Sequence, residues 1–259
     1  MSSPTAQLQI RNVYHARVIG REIRAVVGPV SLDIGGGEFL SIVGPAGCGK
    51  TTLLKMIAGI VPITNGEIRI AGTKLQPPSR DFGLAFEEPA LLPWRTSMQN
   101  ILLPAEMRGL DLLESSNRAR RLVAWVGLSR FEQSKPDELP PGTAQAISIC
   151  RALVHSPSLL LLDEPFRTLD PLSLEQMIDS LQRLWAETRT TAVLCTCNMH
   201  EAVLLSDRVA LMSPGPGRIL ETISIDLPRP RRFDKAMAPQ IAEYCNRIRN
   251  PFRAQGVLP

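Results

Sequence analysis

Lys50 and Thr51 close an eight-residue run, Gly44-Pro45-Ala46-Gly47-Cys48-Gly49-Lys50-Thr51, which follows the apolar stretch Phe39-Leu40-Ser41-Ile42-Val43. A buried strand, a glycine-rich turn and a helical pattern from Thr52 to Ile60 form the context in which G-x-x-x-x-G-K-T binds phosphate. Consecutive backbone N–H groups at a helix start wrap the phosphates of a nucleotide, and glycine permits the φ angles and close approach this requires. Lys50 then supplies a cation to the β- and γ-phosphates, and the Thr51 hydroxyl is placed to ligate Mg²⁺. Thr52, the next residue, completes the expected nucleotide contacts. A second run, Leu159-Leu160-Leu161-Leu162-Asp163-Glu164, reads as a parallel strand covered on both faces and ending in two carboxylates. Asp163 at such a strand end can hold the same Mg²⁺, and Glu164 can polarise the water that attacks the γ-phosphate. A chance glycine turn and a solvated strand-end cap are the plain alternatives, and the presence of both signals in one chain argues against each.

The elements that must position these residues can be read along the chain. Weak alternation over residues 6–34, as in Leu8-Gln9-Ile10 and Val30-Ser31-Leu32-Asp33-Ile34, closes on Gly35-Gly36-Gly37 and predicts short antiparallel strands. Asn65-Gly66 carries a hairpin signal, and Phe82 to Phe86 reads as a further strand. From Pro89 to about Leu139 the pattern turns helical, with Leu112, Leu113, Ala119, Leu122, Val123 and Val126 as one expected apolar stripe and Arg118 and Arg121 off it. Asp170-Pro171 supplies an N-cap and a first-turn proline to a helix striped by Leu174, Met177, Ile178, Leu181, Leu184 and Trp185. Thr191 to Thr196 is a buried strand, Met199 to Ser206 a short helix and Arg208 to Met212 another strand. The tail ends in a helix carrying Met237, Ile241, Tyr244, Cys245 and Ile248. The result is a helical insertion between two halves of an α/β core.

Composition narrows the class. With 259 residues, 44% hydrophobic and 21% charged, the chain can bury a substantial core, yet no apolar run approaches the length needed to span a bilayer. Any membrane role is therefore expected to be peripheral. Met1-Ser2-Ser3-Pro4 lacks the basic and apolar segments of a signal peptide. The net charge of +4 does not indicate a nucleic-acid partner, because Arg118, Arg120, Arg121 and the tail's Arg229, Arg231, Arg232 are scattered with few aromatics between them. We read these clusters as solvated helix faces or as attraction to anionic lipid heads. Five cysteines, Cys48, Cys150, Cys195, Cys197 and Cys245, are too sparse for a disulfide framework and point to a reducing, cytoplasmic setting. Cys195 and Cys197 alternate along a predicted strand and would share a packed face.

Six segments taken in order resemble the ATP-binding subunits of ABC transporters. They are Gly44 to Thr51, Glu88-Pro89-Ala90-Leu91-Leu92-Pro93-Trp94-Arg95, Arg151-Ala152-Leu153, Leu160 to Phe166, Leu169-Asp170 and Glu201 to Arg208. The likeness is to importers of the nitrate, sulfonate and taurine type and covers roughly residues 8 to 225. It implies an α/β fold: a P-loop NTPase (RecA-like) core with an antiparallel β subdomain and an inserted helical subdomain. The whole chain, 1–259, would form one nucleotide-binding domain, with the insertion at about 89–150 and a C-terminal tail with a helix at about 226–259. ATP and Mg²⁺ are the implied cofactors. Implied partners are a second nucleotide-binding subunit, in a homo- or heterodimer that sandwiches ATP, transmembrane permease subunits docked on the helical insertion, and an extracytoplasmic solute-binding protein. The implied place is the cytoplasmic face of the inner membrane. A soluble ABC ATPase of repair or translation fits less well, since there is one nucleotide domain and no coiled-coil insertion. A nucleotide kinase lacks support from any acceptor-lid pattern.

Four positions depart from that family pattern. Its Leu-Ser-Gly-Gly signature, which meets the partner's γ-phosphate, appears as Leu139-Pro140-Pro141-Gly142, so a serine hydroxyl and backbone donors are lost while Gly142 and Gln145 are kept. The switch histidine is replaced by Cys197, whose thiol is a weak donor, and His200 three residues on reads as a surface histidine. Glu87 stands for the glutamine that joins the metal site to the helical lobe, and its carboxylate can ligate Mg²⁺ while adding negative charge. The adenine-stacking aromatic falls near Arg17, with Tyr14 close by, and the base contact stays open between them. Two readings follow: a transport ATPase subunit, or a nucleotide-binding subunit that turns over little and completes a heterodimer with an intact relative.

Overall fold

A computed structural model of the chain describes residues 6–20, 22–76, 81–140 and 142–256. In order, the first elements are β1 (Ala6–Ile19), β2 (Glu22–Gly35), β3 (Phe39–Val43), α1 (Lys50–Ile57), β4 (Asn65–Ile70), β5 (Thr73–Lys74) and β6 (Phe82–Ala85). Next come α2 (Ser97–Arg108), α3 (Leu112–Trp125), α4 (Thr143–Leu153), β7 (Leu159–Asp163) and α5 (Pro171–Thr188). The last are β8 (Thr191–Thr196), α6 (Met199–Leu205), β9 (Arg208–Met212), β10 (Ile219–Ser224) and α7 (Ala238–Ala254). They sort into two units, Met1–Arg80 with Thr191–Pro259, and Asp81–Thr190. The architecture is an α/β P-loop NTPase fold with antiparallel and mixed sheets.

In the first unit every residue of β3 and of β8 is buried, as expected of strands covered on both faces. β3 runs parallel to β8 and to β9, with Val43 level with Thr196 on one side and Leu211 on the other. β10 closes that edge antiparallel to β9. A separate antiparallel sheet has the order β2-β1-β4-β5. Its strands β1 and β2 are 14 residues each, longer than the short strands the sequence predicts. They continue through register shifts around Val13 where alternation alone looks broken.

The hairpin turn expected at Asn65-Gly66 is not there, because both residues lie within β4. Gly66, at φ 90°, meets β1 so closely that an added Cβ would sit 2.4 Å from the Asn12 carbonyl oxygen. The turn falls instead at Ala71 and Gly72, with φ 47° and 77°, the pair of positive values a two-residue hairpin favours. The tail also differs from expectation. Arg231 does not face solvent: it is 1% exposed, and its guanidinium donates to the carbonyls of Val203, Ser206, Ile225 and Leu227. Arg229 donates to Leu205 O and to Asp207, whose other carboxylate oxygen accepts the Phe39 amide. A stretch read as solvated basic surface is therefore an anchor that joins the tail to the end of α6.

In the second unit β6 runs parallel to β7 in a register that places Ala85 beside Leu162. α4 lies so close to β6 that a Cβ on Gly83 would fall 1.9 Å from the Ala152 carbonyl oxygen, and glycine alone suits that crossing. α2 starts with a capping box in which Thr96 and Gln99 exchange side-chain and backbone bonds. The apolar stripe of α3 is shorter than expected. Ala119, Leu122 and Val123 are buried, whereas Leu112 and Leu113 in the first turn are 52% and 72% exposed. Asp170 caps α5 by accepting from the Leu172 and Ser173 amides, as the Asp-Pro pair predicts. Among the described residues no helix is long and apolar enough to cross a membrane.

Candidate nucleotide site

The loop between β3 and α1 is shaped by glycine. Gly47 and Gly49 adopt φ 75° and 109°, in the left-handed region that side-chain-bearing residues avoid. A Cβ on Gly49 would lie 2.8 Å from the Val26 carbonyl oxygen, and one on Gly44 2.7 Å from that of Met212. The loop is thus held against its own unit by backbone, while Ala46 and Gly47 stay exposed at its crest. Among the described residues neither Gly47 nor Gly49 has an acceptor for its amide, which leaves two N–H groups at the start of α1 for an anion. Lys50 is 6% exposed, and its Nζ donates to the carbonyls of Gly44 and Pro45 at 2.8 and 3.2 Å. That bond pattern folds the cation over the loop it serves. Thr51 is half-buried, Thr52 is buried, and the Cys48 side chain fills the space beneath the loop at 1% exposure. The donor set fits a triphosphate: amides, a lysine cation and a hydroxyl on one helix start.

Strand register brings position 197 to the same end. Thr196 is level with Val43, so Cys197 follows β8 where Gly44 follows β3. Cys197 is exposed and Cys195 buried, so the two cysteines do not share a packed face, because β8 ends at Thr196. Cys195 Sγ instead contacts the Lys50 carbonyl at 3.6 Å. Beneath Cys197, Thr196 Oγ1 and the buried Glu201 carboxylate form a 2.6 Å hydrogen bond, and the Asn198 amide donates to the same hydroxyl. Asn198 caps α6, and His200 is exposed in its first turn. Sequence reading did not find Glu201 as the residue that fixes this turn; a carboxylate five residues after a strand-end threonine was the available signal. Tyr14 lies over Gly28, where a Cβ would meet its ring at 2.7 Å, and Arg17 is exposed.

In the second unit β6 and β7 end together, so Glu87 and the pair Asp163 and Glu164 emerge from one end of two parallel strands. Asp163 is 6% exposed and Glu164 half-buried at φ 46°, a strained value for a non-glycine residue and one often found at functional sites. Gln145 Nε2 donates to the Phe86 carbonyl at 2.8 Å, and its buried Oε1 has no partner among the described residues. Arg151 holds the following loop, donating to the carbonyls of Pro89 and Ala90 at 2.7 and 2.9 Å. Burial pulls the Arg151 pKa below its ordinary value. Glu87 pairs with Arg167 at 3.4 Å.

At the start of α4, Gly142 is the N-cap at φ 79° and offers no side-chain cap. The Thr143 amide donates to the Pro140 carbonyl, so one donor of this helix start is used internally, and Pro140 has none to give. Leu139 is half-buried and Pro140 exposed. Pro141 lies outside the described residues. A cavity of about 380 Å³ opens beside Pro140, Gly142 and Thr143, with Arg130 and Arg183 on its wall.

Comparison with known proteins agrees with this geometry. Residues 27–167 match the family described as ABC transporter. An ABC transporter ATP-binding protein of Methanocaldococcus jannaschii, MJ0412, is 36% identical over 231 residues, covering 89% of this chain and 85% of that protein. The taurine import ATP-binding protein TauB of Escherichia coli K12 is 38% identical over 200 residues, 77% of this chain and 78% of its own. Among solved structures, the dimeric bacterial ABC transporter cassette MJ0796 aligns with a TM-score of 0.74 at 28% identity, covering 85% of this chain and 99% of its own. A post-hydrolysis state of that cassette bound to ADP and Pi aligns at 0.73 over the same shares of the two chains.

Proposed function

We propose, from the premise that this chain belongs to the family of ABC transporter ATP-binding proteins, that it couples Mg·ATP binding and hydrolysis to solute uptake through a membrane permease. The observation that carries this reading is the loop of Gly44 to Thr51, with two amides open to an anion and Lys50 folded beside them. Gly44, Pro45, Ala46, Gly47, Cys48 and Gly49 line the phosphates with backbone, and Lys50 neutralises them. Thr51 and Asp163 would hold Mg²⁺, with Glu87 as a further oxygen ligand, and Glu164 would orient the attacking water. The metal, when bound, offsets charge on the β- and γ-phosphates. Residues 1–259 act as one nucleotide-binding domain, with the helices of about 89–150 as an inserted lobe and the segment after about 226 as a tail.

The partners of this reading are a second nucleotide-binding subunit, permease subunits met by the inserted lobe, and a solute-binding protein outside the membrane. The chain would sit peripherally on the cytoplasmic face. Likeness to proteins named for taurine import, at 38–40% identity, supports a small anion of the nitrate, sulfonate or taurine type as cargo.

A second reading is that turnover depends on a partner. Pro140 lacks an N–H, the Thr143 amide is taken by the Pro140 carbonyl, and an exposed Cys197 stands where the family's histidine is expected. Steady-state hydrolysis by the assembled transporter with Glu164→Gln in this chain separates the two. Loss of about 10²-fold or more with Mg·ATP binding retained supports catalysis in this chain. An unchanged rate supports the partner-dependent subunit. Absence of adenine-nucleotide binding in both proteins removes the proposal.

A further inference from the structure

We propose that Arg167 is a positioning residue for the metal–nucleotide site, acting by compensating the charge of Glu87. The inference rests on the functional reading above. β6 and β7 are parallel and in register, so Glu87, Glu88, Asp163 and Glu164 all leave one end of a two-strand ledge. Carboxylates gathered in this way repel one another and repel a triphosphate. The chain then turns sharply: the Arg167 amide donates to the Glu164 carbonyl at 3.2 Å, which returns the arginine toward the ledge. Its Nη1 donates to Glu87 Oε2 at 3.4 Å. Among the described residues Arg167 is the only cation in contact with Glu87, and Glu87 the only anion in contact with Arg167.

The carboxylate is placed by more than the ion pair. Gln145 fixes the Phe86 carbonyl on one side and Arg151 fixes Pro89 and Ala90 on the other. The pair itself is solvated, with the side chains of Arg167 and Glu87 60% and 39% exposed, so it contributes little to folding. What it changes is local charge. With Arg167 present, position 87 offers an oxygen ligand without adding net negative charge where Mg·ATP is received. Without it, the carboxylate at position 87 is left uncompensated.

Equilibrium titration of the full-length protein with ATP, with and without Mg²⁺, tests this. Arg167→Ala is expected to weaken Mg·ATP binding about 5- to 30-fold at low salt, from one extra charge acting through partly solvated surroundings. The effect should shrink in about 0.5 M salt, where screening is short-ranged. Adding Glu87→Gln to Arg167→Ala should restore affinity to within about twofold, and Arg167→Lys should stay near the unmodified protein, since both preserve local neutrality. Thermal midpoints should barely move in any of these variants. Unchanged affinity in Arg167→Ala, or no rescue by Glu87→Gln, overturns the inference and leaves the functional reading intact. Failure of the unmodified protein to bind Mg·ATP removes both. If Arg167→Ala does not fold, Arg167→Gln carries the same expectations.

Discussion

Gly49 shows how one position commits a loop. Its φ of 109° and the 2.8 Å approach of a would-be Cβ to the Val26 carbonyl leave no room for any side chain. Gly49→Ala should therefore destabilise the protein by about 1–3 kcal/mol in urea unfolding and weaken nucleotide binding. The cysteines offer a second test. None forms a disulfide, four are buried and Cys197 is exposed. Burial pushes the thiols of Cys150 and Cys245 up to about 12 and about 11, which keeps both protonated and inert at neutral pH. A thiol reagent should modify one residue rapidly in the native protein and the rest only after denaturation, and saturating Mg·ATP should slow that first reaction. Rapid labelling in a Cys197→Ser protein would contradict this assignment.

At the level of helices and strands, the tail anchor and the α5 cap make opposite points about charge. Arg231 is buried at a cost that burial itself, and then Arg229, register as a pKa lowered to about 10. Its carbonyl partners on α6, Ile225 and Leu227 repay that cost, so Arg231→Met should lose about 2–5 kcal/mol in urea unfolding by leaving them unsatisfied. Arg231→Lys should fail to rescue it, because an ammonium cannot span the positions a planar guanidinium reaches. Asp170 is a surface cap whose pKa is lowered by its bonds to Ser173. A folded-state pKa below the unfolded value means that the carboxylate's stabilisation is complete above the ordinary 3.8 and is lost as pH falls through the lowered value. Asp170→Asn, which still caps, should flatten the stability profile in that acid window while leaving neutral-pH stability near its starting value.

For the molecule as a whole, ligand linkage is the direct check on the proposed function. Mg·ATP at about 100 times its Kd should raise unfolding free energy by about 2.7 kcal/mol, and Lys50→Ala should abolish that rise. Mass measurement of the intact assembly should find two nucleotide-binding subunits, either two copies of this chain or one copy with a relative. Much of the architecture could be read beforehand: β3, β7, β8 and β9 were visible as apolar runs, and α1 and α5 from a glycine turn and an Asp-Pro cap. The misreadings share a cause. Asn65-Gly66 looks like a turn until β1 is seen lying on Gly66, and Leu112-Leu113 looks like core until α3 is seen to bury only its later turns.

The linear order of residues was enough to identify the phosphate loop, its flanking strand and helix, and the caps, because φ preferences, capping bonds and apolar periodicity act over a few positions. It could not reveal that Arg167 meets Glu87 across 80 residues, or that Arg231 reaches back 28 residues to Val203. Those pairings depend on strand register and on which face each element turns inward. A side chain's charge tells what it can bind, and only its neighbours in space determine whether it faces solvent, a carbonyl or another charge.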